Sequence, residues 1–245
     1  MGAARRALLF VRSLVFLIGQ SALTVVFALA ALLTFPFPPF TRYRVITQWS
    51  RAVLWLAKHV CGLHWQVIGA ERIPDRAGIV LSKHQSAWET LALQSVFPPQ
   101  VWVLKRELLR VPFFGWGLAM MSPIAIDRSN GRRALQQLQK QGAARLGAGF
   151  WIVVFPEGTR VAPGEHRPYQ IGGAWLATHT GAPVVPVAHN AGTVWPKHAF
   201  LKPPGMVTMS IGPVIDPTGL KPDALNRQVE AWIEAEVARL GSARA

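Results

Sequence analysis

The stretch GIVLSKHQSAWETLAL, residues 78 to 93, decides how the chain is read. Its opening five residues are small or apolar without alternation, the pattern of a strand covered on both faces. Four polar residues follow. Ser86-Ala87-Trp88-Glu89 then satisfies the S-x-x-E pattern of a helix start, with Ser86 as N-cap and Glu89 at N3. His84 and Glu89 therefore stand where a buried strand gives way to a helix. One reading is plain: Glu89 caps and His84 fills the loop. The other is chemical. A carboxylate in the first helical turn is favoured in its ionised form. An imidazole folded back from the loop would be oriented by it and would keep its second nitrogen free to take a proton.

The same alternation runs outward from this stretch. WQVIG (65–69), VWVL (101–104), FWIVVF (150–155), APVVPVA (182–188) and MVTMSIG (206–212) predict strands beside GIVLS (78–82). Helices are predicted at about 86–96, 131–147, 171–180 and 223–240, the last with Leu225, Val229, Trp232, Ile233, Val237 and Leu240 on one face. The fold class is α/β, a mostly parallel central sheet flanked by helices. In such a sheet the loops at the carboxyl ends of strands carry the chemistry. KHQSAWE, AIDRSN (125–130) and PEGTR (156–160) all follow apolar runs, so they can meet in space.

Residues 1–62 form a different region. Ser13 to Leu33 holds no charge and is long enough as a helix to cross a hydrocarbon core of about 30 Å. Arginines flank it on both sides, which suits a segment entering one leaflet and returning near the prolines at 36, 38 and 39. A cleavable signal peptide is the rival, since Ala28-Leu29-Ala30 imitates a cleavage site, but the apolar run exceeds a usual signal core. Tyr43 to Cys61 predicts an interfacial helix, with Ile46, Trp49, Val53, Leu56 and Val60 on one face and Arg44, Arg51 and Lys58 on another; the rival reading is a core-packing helix whose basic stripe is solvated. Residues 1–62 are thus expected to anchor the chain in a membrane and 63–245 to form the catalytic domain.

The net charge of +14 selects anionic partners, and residues 1–70 carry seven basic and no acidic side chains. Interleaving with apolar runs favours anionic membrane lipid over nucleic acid. One cysteine, Cys61, excludes an intrachain disulfide and fits a reducing compartment. With His59 and His64 it offers too few soft ligands for a metal site.

No G-x-S-x-G elbow accompanies His84, and Ser82 and Ser86 have no oxyanion motif beside them. A base at His84 would act directly on a substrate hydroxyl. Arg128 and Arg160 can clamp a phosphate, Gly158 lets backbone approach a ligand, Thr159 adds a hydroxyl, and Lys105 and Arg106 add positive field.

HQSAWE, PIAIDR, FPEGTR and VVPVA together resemble the four motifs of the 1-acyl-sn-glycerol-3-phosphate acyltransferases of the PlsC type, over roughly residues 65 to 215. The family's usual acid is aspartate, here Glu89, and Gln170 stands where a basic residue is often found. The resemblance implies His84 as general base on the sn-2 hydroxyl of lysophosphatidic acid and Glu89 as its orienting partner. It implies Arg128, Glu157, Gly158, Thr159 and Arg160 around phosphate and acceptor, Lys105 as a supporting charge, and Pro186 on the acyl-donor side. The donor would be acyl-CoA or acyl carrier protein, with no metal or redox cofactor. The site would face the cytoplasm from the inner membrane. Another lyso-lipid acceptor, a lysophospholipid or an ornithine lyso-lipid, would use the same motifs. A non-catalytic lipid-binding protein would not need His84.

Overall fold

The computed structural model describes residues 2–127 and 131–242. A long helix α1 (Ala3–Leu33) leads to α2 (Pro39–Ile46) and α3 (Gln48–Leu56), the latter ending in a π turn. Seven strands follow: β1 (Leu63–Ile68), β2 (Ile79–Ser82), β3 (Gln100–Lys105), β4 (Ile124–Ile126), β5 (Trp151–Val154), β6 (Val184–His189) and β7 (Gly205–Ile211). Between and after them lie α4 (Trp88–Val96), α5 (Phe114–Met120), α6 (Gly131–Gly147), α7 (Gly172–Thr180) and α8 (Pro222–Ser242). The sheet order is β1-β7-β6-β2-β5-β3-β4, and every pairing is parallel except β6 with β7.

Strand period explains the unbroken apolar runs. Ile79, Leu81, Ile152, Val154 and Val184 face one side, where Leu176 of α7 and Leu225, Val229 and Ile233 of α8 cover them. Val80, Val153, Val185 and Val187 face the other side, covered by Trp88 and Leu91 of α4 and by Val53 and Leu54 of α3. The central strands β2, β5 and β6 are buried on both faces and carry no polar alternation, whereas the edge strand β1 alternates, with His64, Gln66 and Ile68 exposed.

Helix α4 begins at Trp88, two residues after Ser86, with Ala87 at the N-cap position. The Ser86 hydroxyl accepts the Trp88 N–H at 3.1 Å, and the Glu89 carboxylate reaches back to the Ser86 N–H at 2.8 Å. The carboxylate half of the capping box is formed, while the hydroxyl takes the Trp88 N–H in place of that of Glu89.

Three features depart from the sequence expectation. The predicted interfacial helix at 43–61 is broken into α2, α3 and the π turn, and its apolar side is not free for lipid. Val53, Leu54 and Ala57 are buried within the protein, while Arg44, Arg51 and Lys58 are exposed. The moment of this segment thus serves the protein core. Helix α5 was not expected, because two glycines weaken a helical reading of FFGWGLAM. Those glycines fit its setting: a Cβ on Gly115 would meet the Leu109 carbonyl, and Gly117 faces the Ala28 backbone of α1. Finally, α1 is the one described helix long and apolar enough to cross a membrane, with mean hydropathy 2.2 over its best window. Ser13, Phe16, Ala28 and Ala31 along it are nevertheless buried against the domain.

Gly69 ends β1 with φ +81°, and a Cβ there would press on the Ile211 carbonyl oxygen of β7. Gly164 has a similar φ of +83° with open space around it. Gly69→Ala should cost about 1–3 kcal/mol, and Gly164→Ala only about 1 kcal/mol. Thermal melts of the two variants check the difference; equal losses would mean that the Ile211 contact relaxes freely.

Candidate active site

Because β2 lies between β5 and β6 and runs parallel to both, the loops after β2 and β5 emerge side by side. The loop after β5 grips His84, two residues beyond the end of β2. The Glu157 carboxylate accepts the His84 N–H at 2.7 Å, and the Val161 N–H donates to the His84 carbonyl at 2.8 Å. Gly158, at φ +71°, makes the turn between them. Phe155 stacks on the imidazole with centroids 3.9 Å apart and planes 12° from parallel. Backbone and ring of His84 are thus both fixed.

The His84 Nδ1 lies 2.8 Å from Glu89 Oε1. The same oxygen accepts the N–H groups of Gln85 at 3.0 Å and Ser86 at 2.8 Å. An ionised carboxylate only accepts, so Nδ1 carries the proton and Nε2 is left basic. The capping and orienting readings of Glu89 are therefore one arrangement, made by one oxygen. Burial alone would raise the Glu89 pKa. The two nearby histidines, His189 and His84, and the Ser86 N–H outweigh it and hold the carboxyl below its ordinary value.

His189 sits behind this pair, fully buried, with Nε2 3.8 Å from Glu89 Oε2. Its Nε2 donates to the Lys83 carbonyl at 2.9 Å and its Nδ1 accepts the Ala191 N–H at 3.3 Å. Burial, with lesser repulsion from His84 and Lys83, outweighs the pull of Glu89 and the Lys83 carbonyl and keeps the His189 pKa low. A neutral ring matches both hydrogen bonds.

His84 lines a groove of about 410 Å³. Most of its wall is apolar: Phe27 and Ala28 of α1, Trp49 of α3, Trp102 of β3, Phe113, Phe114 and Leu118 around α5, and Phe155. Lys105, Gly158, Thr159, Arg160 and Lys197 share the lining with His84. A groove of this composition suits an amphiphile with an anionic head, presented to a base. Arg106 is exposed but does not line it, and Arg128 lies outside the described residues.

Two expected site residues are elsewhere. Glu157 is 1% exposed, and its carboxylate serves the His84 N–H and Lys83, not the groove. Pro186 occupies the opposite face of β6 from Val185 and Val187, packed near Gly212 and Trp232 of α8. Period two along the strand turns it away from the groove. Conversely, Lys83, His189 and Lys197 were not singled out. A lysine inside a fully buried strand end and a histidine closing the apolar strand β6 were the legible signals. Lys197, in an irregular loop, gave none. Among the described residues no group of three or more His, Cys, Asp or Glu could hold a metal ion.

The depressed Glu89 pKa carries a sign. Its stabilising contribution is present above the unfolded glutamate pKa, about 4.3, and is lost as pH falls through the lower folded value. Glu89→Gln should therefore lower stability at pH 7 by about 2 kcal/mol. The gap to wild type should close in melts below about pH 4. A gap constant from neutral to acid pH would mean that the carboxyl is already protonated.

A family model described as Acyltransferase matches residues 64–190. The curated 1-acyl-sn-glycerol-3-phosphate acyltransferase of Pseudomonas aeruginosa is 45% identical over 235 residues, covering 94% of this chain and 91% of that protein. The Saccharomyces cerevisiae protein of the same name is 30% identical over 178 residues, or 69% of this chain and 58% of that one. Among solved structures, the 1-acyl-sn-glycerophosphate (LPA) acyltransferase PlsC from Thermotoga maritima superposes with a TM-score of 0.78 at 25% identity, over 98% of each chain. With a histidine–carboxylate pair at the strand ends of a matching sheet, the chain belongs to the 1-acyl-sn-glycerol-3-phosphate acyltransferase (PlsC-type) family and is an acyltransferase.

Proposed function

We propose that this enzyme transfers a fatty acyl group from an acyl thioester to the sn-2 hydroxyl of 1-acyl-glycerol-3-phosphate, giving phosphatidic acid. The observation that carries this reading is the oriented His84–Glu89 pair opening on an apolar groove that also presents Lys105, Arg160 and Lys197. The acceptor's phosphate pairs with these cations and its chain lies along the aromatic wall. His84 Nε2 takes the hydroxyl proton as the oxygen attacks the thioester carbonyl. The tetrahedral intermediate collapses, the C–S bond breaks, and the imidazolium returns its proton to the leaving thiolate.

Direct attack is favoured because the nearby nucleophiles are committed. The Ser86 hydroxyl donates to the Trp195 carbonyl at 2.6 Å and accepts from Trp88. Ser82 is fully buried and donates to the Lys83 carbonyl. Cys61 is buried and does not line the groove. The donor is acyl-CoA or acyl carrier protein, either of which is anionic and matches the basic chain.

Residues 1–62 anchor the chain and residues 63–245 carry the chemistry, with α1 also walling the groove. The attachment of α1 along its length supports insertion into one leaflet. Its outward residues, such as Leu14, Ile18, Val26 and Leu33, meet lipid acyl chains. The groove then opens at the inner membrane's cytoplasmic surface, where an amphiphile from the bilayer meets a soluble thioester.

His84→Ala should reduce turnover of lysophosphatidic acid by about 10²–10⁴-fold, measured with both donors on purified protein. Undiminished turnover would place the base elsewhere. Arg160→Gln should raise KM for lysophosphatidic acid by about 10-fold or more and leave an acceptor without phosphate unaffected. Equal effects on both acceptors would remove Arg160 from phosphate recognition and favour another lyso-lipid.

A further inference from the structure

We propose that the C-terminal helix α8 positions the general base, with Glu234 and Lys83 as positioning residues acting through Glu157 on the His84 backbone. This rests on the reading of His84 as base. Lys83 and His84 are neighbours at the end of β2, so their side chains leave on opposite faces of the sheet. His84 enters the groove, and Lys83 enters the interior beneath α8. Its ammonium is completely buried, 2.7 Å from Glu157 Oε1 and 2.8 Å from Glu234 Oε1. The other oxygen of Glu157 accepts the His84 N–H. Glu234 is itself fixed, since the Tyr169 hydroxyl donates to the oxygen that Lys83 touches, at 2.8 Å. A continuous chain therefore runs from α8 to the peptide of the base.

The charges make this chain cooperative. One ammonium stands between two carboxylates in a region largely closed to water; the carboxylates repel each other, and the shared ammonium holds both in place. Lys83 decides where Glu157 can sit, because a bare carboxylate would not stay buried beside the backbone. Glu157 needs that support, since burial, with lesser repulsion from Glu234, pushes its pKa up more than Lys83 and the His84 N–H pull it down. Glu157 in turn decides where the His84 N–H points. Glu234, Lys83 and Glu157 do not line the groove, so loss of their support should slow the chemical step and spare substrate binding. Such remote displacements act on the alignment of base and hydroxyl.

Glu234 gives the cleanest test, being partly exposed and on a helix that does not line the groove. Glu230, one turn earlier on α8, pairs with the exposed His166 at 2.8 Å and is the matched control. Glu234→Gln should lower kcat for acyl transfer to lysophosphatidic acid about 10-fold or more, with KM within about 2-fold of wild type. The His84 backbone amide proton, held downfield by the Glu157 carboxylate, should move upfield in its NMR spectrum. Glu230→Gln should match wild type in kcat and in that resonance. A kcat for Glu234→Gln indistinguishable from wild type, or a loss of kcat with the His84 amide unmoved, would overturn the proposal. The amide readout needs no substrate. If wild type turned over no thioester and lysophosphatidic acid at all, the functional reading would fail while the Glu234–Lys83–Glu157 chain would still be tested.

Discussion

The peptide unit of His84 is the point on which the site depends. Its N–H is held by Glu157 and its carbonyl by Val161, so the loop after β5 closes on the end of β2 from both sides. A parallel β2–β5 pair is what brings those loops together. Parallel pairing needs crossovers, which place helices on both faces and demand the largely apolar central strands β2, β5 and β6. The requirement for a fixed base thus reaches back into the composition of strands that never meet substrate.

Glu89 shows how one atom can serve fold and chemistry together. Its Oε1 accepts three N–H donors, two from the backbone at the start of α4 and one from the imidazole. The helix start preorganises the carboxylate, and the carboxylate sets the tautomer of the base. Its second oxygen has no hydrogen-bond partner among the described residues, and the neutral ring of His189 lies beyond it. All of the orienting strength is concentrated on the side facing His84.

The amino-terminal helices belong to the same physical unit. Trp49 donates to Thr24, and the Lys202 N–H donates to Ser13, so α1 is tied to α3 and to the loop before β7. Phe27 and Ala28 then form part of the groove wall. An apolar helix with one face on the protein and the other turned outward joins the groove to whatever apolar phase lies outside.

The sequence by itself determined six of the seven strands (all but the short β4), most helices, the parallel class of sheet and the pair His84–Glu89. Those features are written in local periodicity, in S-x-x-E capping and in the rule that loops at strand ends carry chemistry. The tertiary structure alone decided which way side chains face once the sheet is assembled. Glu157 reads as a ligand-binding carboxylate beside Gly158 and Arg160, yet it turns inward to Lys83, because a buried ammonium attracts it more strongly than an open groove. Pro186 reads as pocket lining, yet strand period places it beneath α8. The partnership of Lys83 with Glu234 joins residues 151 positions apart. No spacing rule reaches that far, since only the packing of α8 on the sheet brings the two charges within a hydrogen bond.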